Sequence, residues 1–281
     1  MSEQPLSTVS GRVDVTALAR EGRRQTVRVY LPPDYETSAR DYSVIYMFDG
    51  HNLFDAATSR YQKEWGIDET MEGLYLRDPG RTAVVVGIDA PWGARDRYAE
   101  YTIADWIAHA EPGDTSTDAE RQVQGVGERT ASFLIEEVKP WAERSFRVSA
   151  DRRRVAVAGS SLGGYMSLYT AARFSDQVSA ALAFSPVALD RPMAGHVLRA
   201  YLAATPPVAP QRYYLDMGDA EDLNYTTREA LVANLEPLEE ALRASGHDDI
   251  WSRVIAGGAH DEEAWGRRFE EVLTWWSAGW E

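Results

Sequence analysis

The stretch Val155–Tyr169, VAVAGSSLGGYMSLY, decides how this chain is read. An apolar run stops at Gly159, two serines follow, and Leu162 leads into Gly163-Gly164. Such a pattern fits a buried strand that turns sharply into a helix. The turn holds one serine in a strained backbone conformation, with its hydroxyl raised above the sheet edge. The residues two before and two after that serine come too close together for side chains. Centring the motif on Ser161 puts Gly159 and Gly163 at the crowded positions. Centring it on Ser160 puts Ala158 and Leu162 there, and Leu162 would clash. Ser161 is therefore the candidate nucleophile. Leu162, Tyr165, Met166 and Tyr169 then form the apolar face of the helix that follows.

Around this elbow, strand-like runs alternate with amphipathic ones. Strands are predicted at Ser10–Val15, Gln25–Leu31, Tyr42–Phe48, Thr82–Ile88, Arg154–Ala158, Ser179–Phe184, Arg212–Met217 and Trp251–Ala256. YSVIYMF and TAVVVGI are continuously apolar, as central strands buried on both faces are. Helices are predicted at Asp68–Leu76, Glu128–Arg144, Leu162–Phe174, Thr227–Ser245 and Glu262–Trp276. Pro140 is expected to kink or split the second of these. The alternation predicts one α/β domain over residues 1–281, with a mostly parallel eight-stranded sheet covered by helices on both faces. Two stretches break the rhythm: a polar, irregular 90–127, and 189–210, with a short helical piece and four prolines. Long loops of this kind commonly form walls or lids. The first follows a central strand and is expected to lie over the site.

A serine hydroxyl needs a base. On a sheet bearing such an elbow, an acid and then a histidine follow the serine in the chain. His51 and His109 precede Ser161, His196 falls in an irregular segment, and His247 is read as the exposed exit from a helix. His260, in IAGGAHDEEAW after the last strand, is the candidate base. The acid is expected after the seventh strand, in YYLDMGDAEDLNY, where Asp216, Asp219, Glu221 and Asp222 compete. Asp216 is the weakest by position, because it lies within the strand. Oxyanion stabilisation needs backbone donors. The Leu162 N–H is one, and Gly50 or His51, in the loop after the third strand, supplies the other.

Composition narrows the function classes. The 281 residues carry a formal net charge of −15, which opposes nonspecific nucleic-acid binding. No apolar run approaches the roughly 18 residues needed to span a bilayer. The amino-terminal residues MSEQPLSTVSGRVDV lack a basic start and an apolar core, so a cytoplasmic location is expected. With no cysteine there is neither a disulfide framework nor a thiolate site. No HExxH, Walker loop or dinucleotide fingerprint is present, so no metal and no cofactor are expected.

The combined motifs resemble a known family. YSVIYMFDGHNLFD, VVVGIDAP with Arg97 and Glu100-Tyr101 following, FLIEEVKPW, VAVAGSSLGG, LDMGDAED and GGAHDEEAW occur in family order. Over about Val27 to Trp276 the chain resembles the "Putative esterase" family of α/β-hydrolases. That family includes enterochelin-type siderophore esterases, feruloyl and acetyl-xylan esterases, S-formylglutathione hydrolases and mycolyltransferases. The resemblance implies the α/β-hydrolase fold and a small-molecule ester substrate. It implies Glu221 as first choice for the acid, three residues after Gly218, and Asp219 as second. It also implies a structural ion pair for Arg97-Tyr98-Ala99-Glu100-Tyr101, on the substrate-side loop. The expected function is serine carboxylesterase, acting through an acyl-enzyme on an acylated sugar, an aryl ester or a siderophore ester. The alternatives are an acyltransferase with the same residues and a non-catalytic binding module on this scaffold.

Overall fold

The computed structural model describes residues 6–103, 106–107, 122–187, 192–223, 226–278 and 280. All eight expected strands form: β1 Arg12–Arg20, β2 Arg23–Leu31, β3 Ser43–Phe48, β4 Ala83–Ile88, β5 Val155–Ser160, β6 Ala180–Phe184, β7 Arg212–Gly218 and β8 Asp249–Ile255. They make one sheet in the order β1-β2-β4-β3-β5-β6-β7-β8. The β1–β2 and β2–β4 pairs are antiparallel, and every later pair is parallel. β1 is longer than its sequence suggests. Its second half has only the short apolar run Ala17-Leu18-Ala19, and it is held by pairing with β2 across a tight turn at Glu21 (φ 46°) and Gly22 (φ 80°).

β3, β4 and β5 are buried along their whole length, as continuous apolar strands must be at the centre of a parallel sheet. Side chains alternate across it. Val44, Tyr46 and Phe48 join one core, and Ile45 and Met47 the other. Helices α1 (Ile67–Arg77) and α8 (Glu262–Ser277) cover the second core with Met71, Leu74, Trp265, Phe269 and Trp276. The first core is covered by α3 (residues 127–145), α4 (Leu162–Arg173), α5 (Pro192–Ala204) and α7 (Leu235–Ala244).

Three expectations are corrected. Pro140 does not split α3: Gly127–Ser132 runs into a π-wound turn, Phe133–Val138, and then into Lys139–Ser145. The widened turn directly before the proline lets the helix continue without the missing N–H. The run Thr227–Ser245 is two helices, α6 (Arg228–Val232) and α7. Pro237 is tolerated only in a first helical turn, so the chain restarts a helix at Leu235. The 90–127 stretch is not irregular throughout. It contains α2 (Ala94–Glu100) and a short antiparallel pair, Trp106–Ile107 with Gln122–Val123. The helical piece in 189–210 is α5, 13 residues long. The rest of these two stretches, and His109, lie outside the described residues in part or whole. Among the described residues no helix is long and apolar enough to cross a membrane.

Candidate active site

Ser161 sits between β5 and α4 with φ 56° and ψ −126°, the strained conformation expected of the elbow. A Cβ on Gly159 would meet the Gly163 carbonyl carbon at 2.7 Å, which is the crowding that selected Ser161 over Ser160. The Ser161 N–H donates to the Phe184 carbonyl (3.0 Å), and the Ser161 carbonyl accepts from Tyr165 and Val187. Its hydroxyl makes no capping bond to α4, and Ser161 lines a cavity of about 430 Å³.

His260 lines the same cavity from the loop between β8 and α8. Its Nδ1 lies 2.8 Å from Glu221 Oε2. Paired with a carboxylate, Nδ1 carries the proton, so Nε2 is left free as the basic nitrogen. The ring stands edge-on to Trp265, with centroids 4.9 Å apart. Glu221 is fully buried, and its Oε1 accepts from the Gly218 N–H (2.9 Å) and from the Ser185 hydroxyl. Burial alone would raise this carboxyl, but the His260, Ser185 and Gly218 interactions outweigh it and hold it below the ordinary glutamate range. The loops carrying Glu221 and His260 approach this closely because Gly218 and Gly258 meet backbone to backbone: a Cβ on Gly218 would fall on the Gly258 carbonyl.

The competing carboxylates have other partners. Asp219 accepts the Gly257 N–H (2.7 Å) and so shapes the turn before His260. Asp216 is buried, binds the Arg268 guanidinium and accepts the Ser185 N–H (2.9 Å). Asp222 is exposed. His247 is not exposed as expected but buried, packed on the Tyr213 ring. Sequence reasoning missed Ser185, which accepts from Trp265 Nε1 (2.9 Å) while its hydroxyl serves Glu221. The signal for it was weak: a lone serine with φ 42° at the end of β6.

Leu162 opens α4, so its N–H belongs to the first turn, where no intrahelical acceptor exists. Gly50 and His51 begin a 3₁₀ turn, Gly50–Asn52, and their N–H groups are in the same position. Asp49 before them has φ 59° and donates its N–H to the Tyr101 hydroxyl (3.1 Å). Its carboxylate binds Arg97 through two bonds of 2.7 Å. Burial would raise Asp49, but Arg97 outweighs it and holds the carboxyl below its ordinary value. The Arg97–Tyr101 element is therefore not one internal ion pair. Arg97 binds Asp49, Glu100 binds Arg20 and Arg23, and Tyr101 supports the turn. His51 is buried beside Trp92, and burial lowers its pKa, so the ring is neutral near neutral pH.

The cavity has two unlike walls. Leu162, Val187, Leu223 and Tyr98 belong to or pack on the first core. Asn52, Lys63, Asp261 and Glu262 form a polar wall on the side of α8. From the 90–127 stretch, the described residues Arg97, Tyr98 and Thr102 line the cavity. Among the described residues, the carboxylates close enough to share a cation are Glu64, Asp68 and Glu69, and none of them lines the cavity.

Sheet order, elbow and the loops gathered above it define an α/β-hydrolase fold. The profile of the family described as "Putative esterase" matches residues 19–276, and the chain belongs to that family. Esterase Rv1288 of Mycobacterium tuberculosis is 29% identical over 171 residues, 59% of this chain. That match spans only 30% of the mycobacterial protein's length. Among solved structures, the siderophore hydrolase EstA from Aspergillus nidulans superposes with a TM-score of 0.69 at 18% identity, covering 96% of this chain and 95% of that one. A ferulic acid esterase superposes with a TM-score of 0.66 at 19% identity, covering 95% and 98%.

Proposed function

We propose that the protein is a serine carboxylesterase that needs no cofactor. Ser161 attacks the ester carbonyl, His260 takes the hydroxyl proton through Nε2 and returns it to the leaving alcohol, and Glu221 orients the ring and balances the imidazolium. The N–H groups of Leu162 and of Gly50 or His51 receive the oxyanion. Water, activated by the same His260, then cleaves the acyl-enzyme. The observation that carries this reading is the 2.8 Å His260–Glu221 contact opening onto the cavity that Ser161 also lines.

Membership of an esterase family supports the reaction class. The relatives' names suggest aryl or siderophore esters, and the apolar wall of Tyr98, Val187 and Leu223 suits an acyl or aryl group. Ser161→Ala is expected to lower kcat/KM on p-nitrophenyl acetate by about three orders of magnitude or more. A fluorophosphonate probe is expected to label Ser161 and no other residue. Wild-type turnover by the alanine variant would refute the assignment.

A further inference from the structure

Glu262 lines the cavity and has no part in this mechanism. Glu262 is 5% exposed, two residues after His260, and its Oε1 accepts a hydrogen bond from Asn52 Nδ2 (2.9 Å). The cations around it are already engaged. Arg97 is bound to Asp49, Lys63 to Asp261 (2.8 Å), and Arg60 donates to the Pro91 carbonyl beside the Trp92 ring. Among the described residues Glu262 has no cation of its own, and a buried carboxyl so placed makes this wall hostile to a second negative charge.

We propose that Glu262 is a specificity-determining residue that makes the cavity take uncharged esters and reject those bearing a carboxylate. The proposal rests on the esterase reading above. The surroundings give it a pH signature. Burial, and then the negative charges of Asp49 and Asp261, push the Glu262 carboxyl up to about 7, against the opposing pull of Arg97. From the 3₁₀ turn, His51 is neutral near neutral pH. From the α8 side, His260 serves every substrate alike, so its part in the reaction cancels in a ratio of two substrates. Asp49 and Asp261 are both held below the ordinary aspartate range and stay ionised above about pH 5. Within the window from about 5.5 to 8.5, Glu262 is then the acidic group on this wall whose charge changes.

The test compares kcat/KM for esters paired as carboxylate and methyl ester. One pair is mono-p-nitrophenyl adipate and its methyl ester, with the charge on the acyl side. The other is 4-acetoxybenzoate and its methyl ester, with the charge on the alcohol side. A unit charge roughly 6–12 Å away at an effective dielectric of about 20 is worth about tenfold to a hundredfold. The preference of the wild type for the neutral member is expected to grow by that factor between pH 5.5 and 8.5 in at least one pair. In Glu262→Gln the preference stays flat with pH.

A wild-type preference that does not change with pH in either pair overturns the proposal while leaving the esterase reading intact. So does an unchanged slope in Glu262→Gln. A preference for the carboxylate members would move recognition to Arg60 and overturn it as well. If the neutral members are not hydrolysed at all, the esterase reading falls and this proposal falls with it.

Discussion

Replacing Glu221 with glutamine separates the two carboxylates that compete for the acid role. The glutamine carbonyl can keep the donations from the Gly218 N–H and the Ser185 hydroxyl to Oε1. That leaves the amide NH₂ facing His260 Nδ1, where Oε2 stands at 2.8 Å. Nδ1 must then accept, the ring proton moves to Nε2, and the free base is lost. The charge is lost too. Two unit charges about 4 Å apart attract by about 4 kcal/mol at an effective dielectric of about 20. At about 1.4 kcal/mol per decade, that is about three decades in rate. Asp219→Asn is the internal control. Its amide oxygen can still accept the Gly257 N–H, so it is expected to stay within about tenfold of the parent. The assay is kcat/KM on p-nitrophenyl acetate, with a thermal melt to show that each variant is folded. A folded Glu221→Gln within tenfold of wild type would refute the reasoning, as would a crippled Asp219→Asn beside an active Glu221→Gln.

Gly159→Ala forces a Cβ to within 2.7 Å of the Gly163 carbonyl carbon, so it should lose about 1–3 kcal/mol of stability by denaturant melt and at least tenfold in kcat. Arg97→Met strands the Asp49 carboxylate in a buried site, at a cost of about 3–5 kcal/mol. That deficit should shrink as pH falls, starting above the ordinary aspartate range, because without Arg97 burial raises the Asp49 carboxyl and it takes up a proton. Glu262 has its folded pKa raised from 4.5 to about 7, so the unfolded chain releases this proton first and stability falls as pH rises through that window. Relative to wild type, Glu262→Gln should gain up to about 3 kcal/mol between pH 4.5 and 7 and nothing more above it. A pH-independent difference in melting would show that Glu262 ionises normally.

The elements that could be read from sequence were those whose reason is local. VAVAGSSLGG carries its own steric test, and YSVIYMF and TAVVVGI announce burial on both faces. The helix Ala94–Glu100 could not be read that way, because none of its residues is buried and it has no apolar stripe. Its Arg97 and Glu100 are instead held by Asp49 and by Arg20 and Arg23, far away in the chain. The acid was ambiguous for a similar reason. Asp216, Asp219, Glu221 and Asp222 share one short segment, and what separates them is the Gly218–Gly258 approach and the Ser185 hydroxyl. Only resemblance pointed to Glu221 before the structure did. Glu262 stayed hidden because an acidic pair opening a helix usually faces water, and nothing local to EEAW says that Asn52 reaches it.

The bond from Asn52 to Glu262 closes a span of 210 residues. A chain leaving the ribosome from its amino end completes the Ser161 elbow about a hundred residues before it presents His260. Until α8 docks against Trp65, Glu262 does not reach Asn52, and the turn Gly50–Asn52 is held by contacts from earlier in the chain, such as Asp49 with Arg97 and Tyr101. On the proposed mechanism the serine thus stays without its base until the segment carrying His260 has been made, however early the elbow forms.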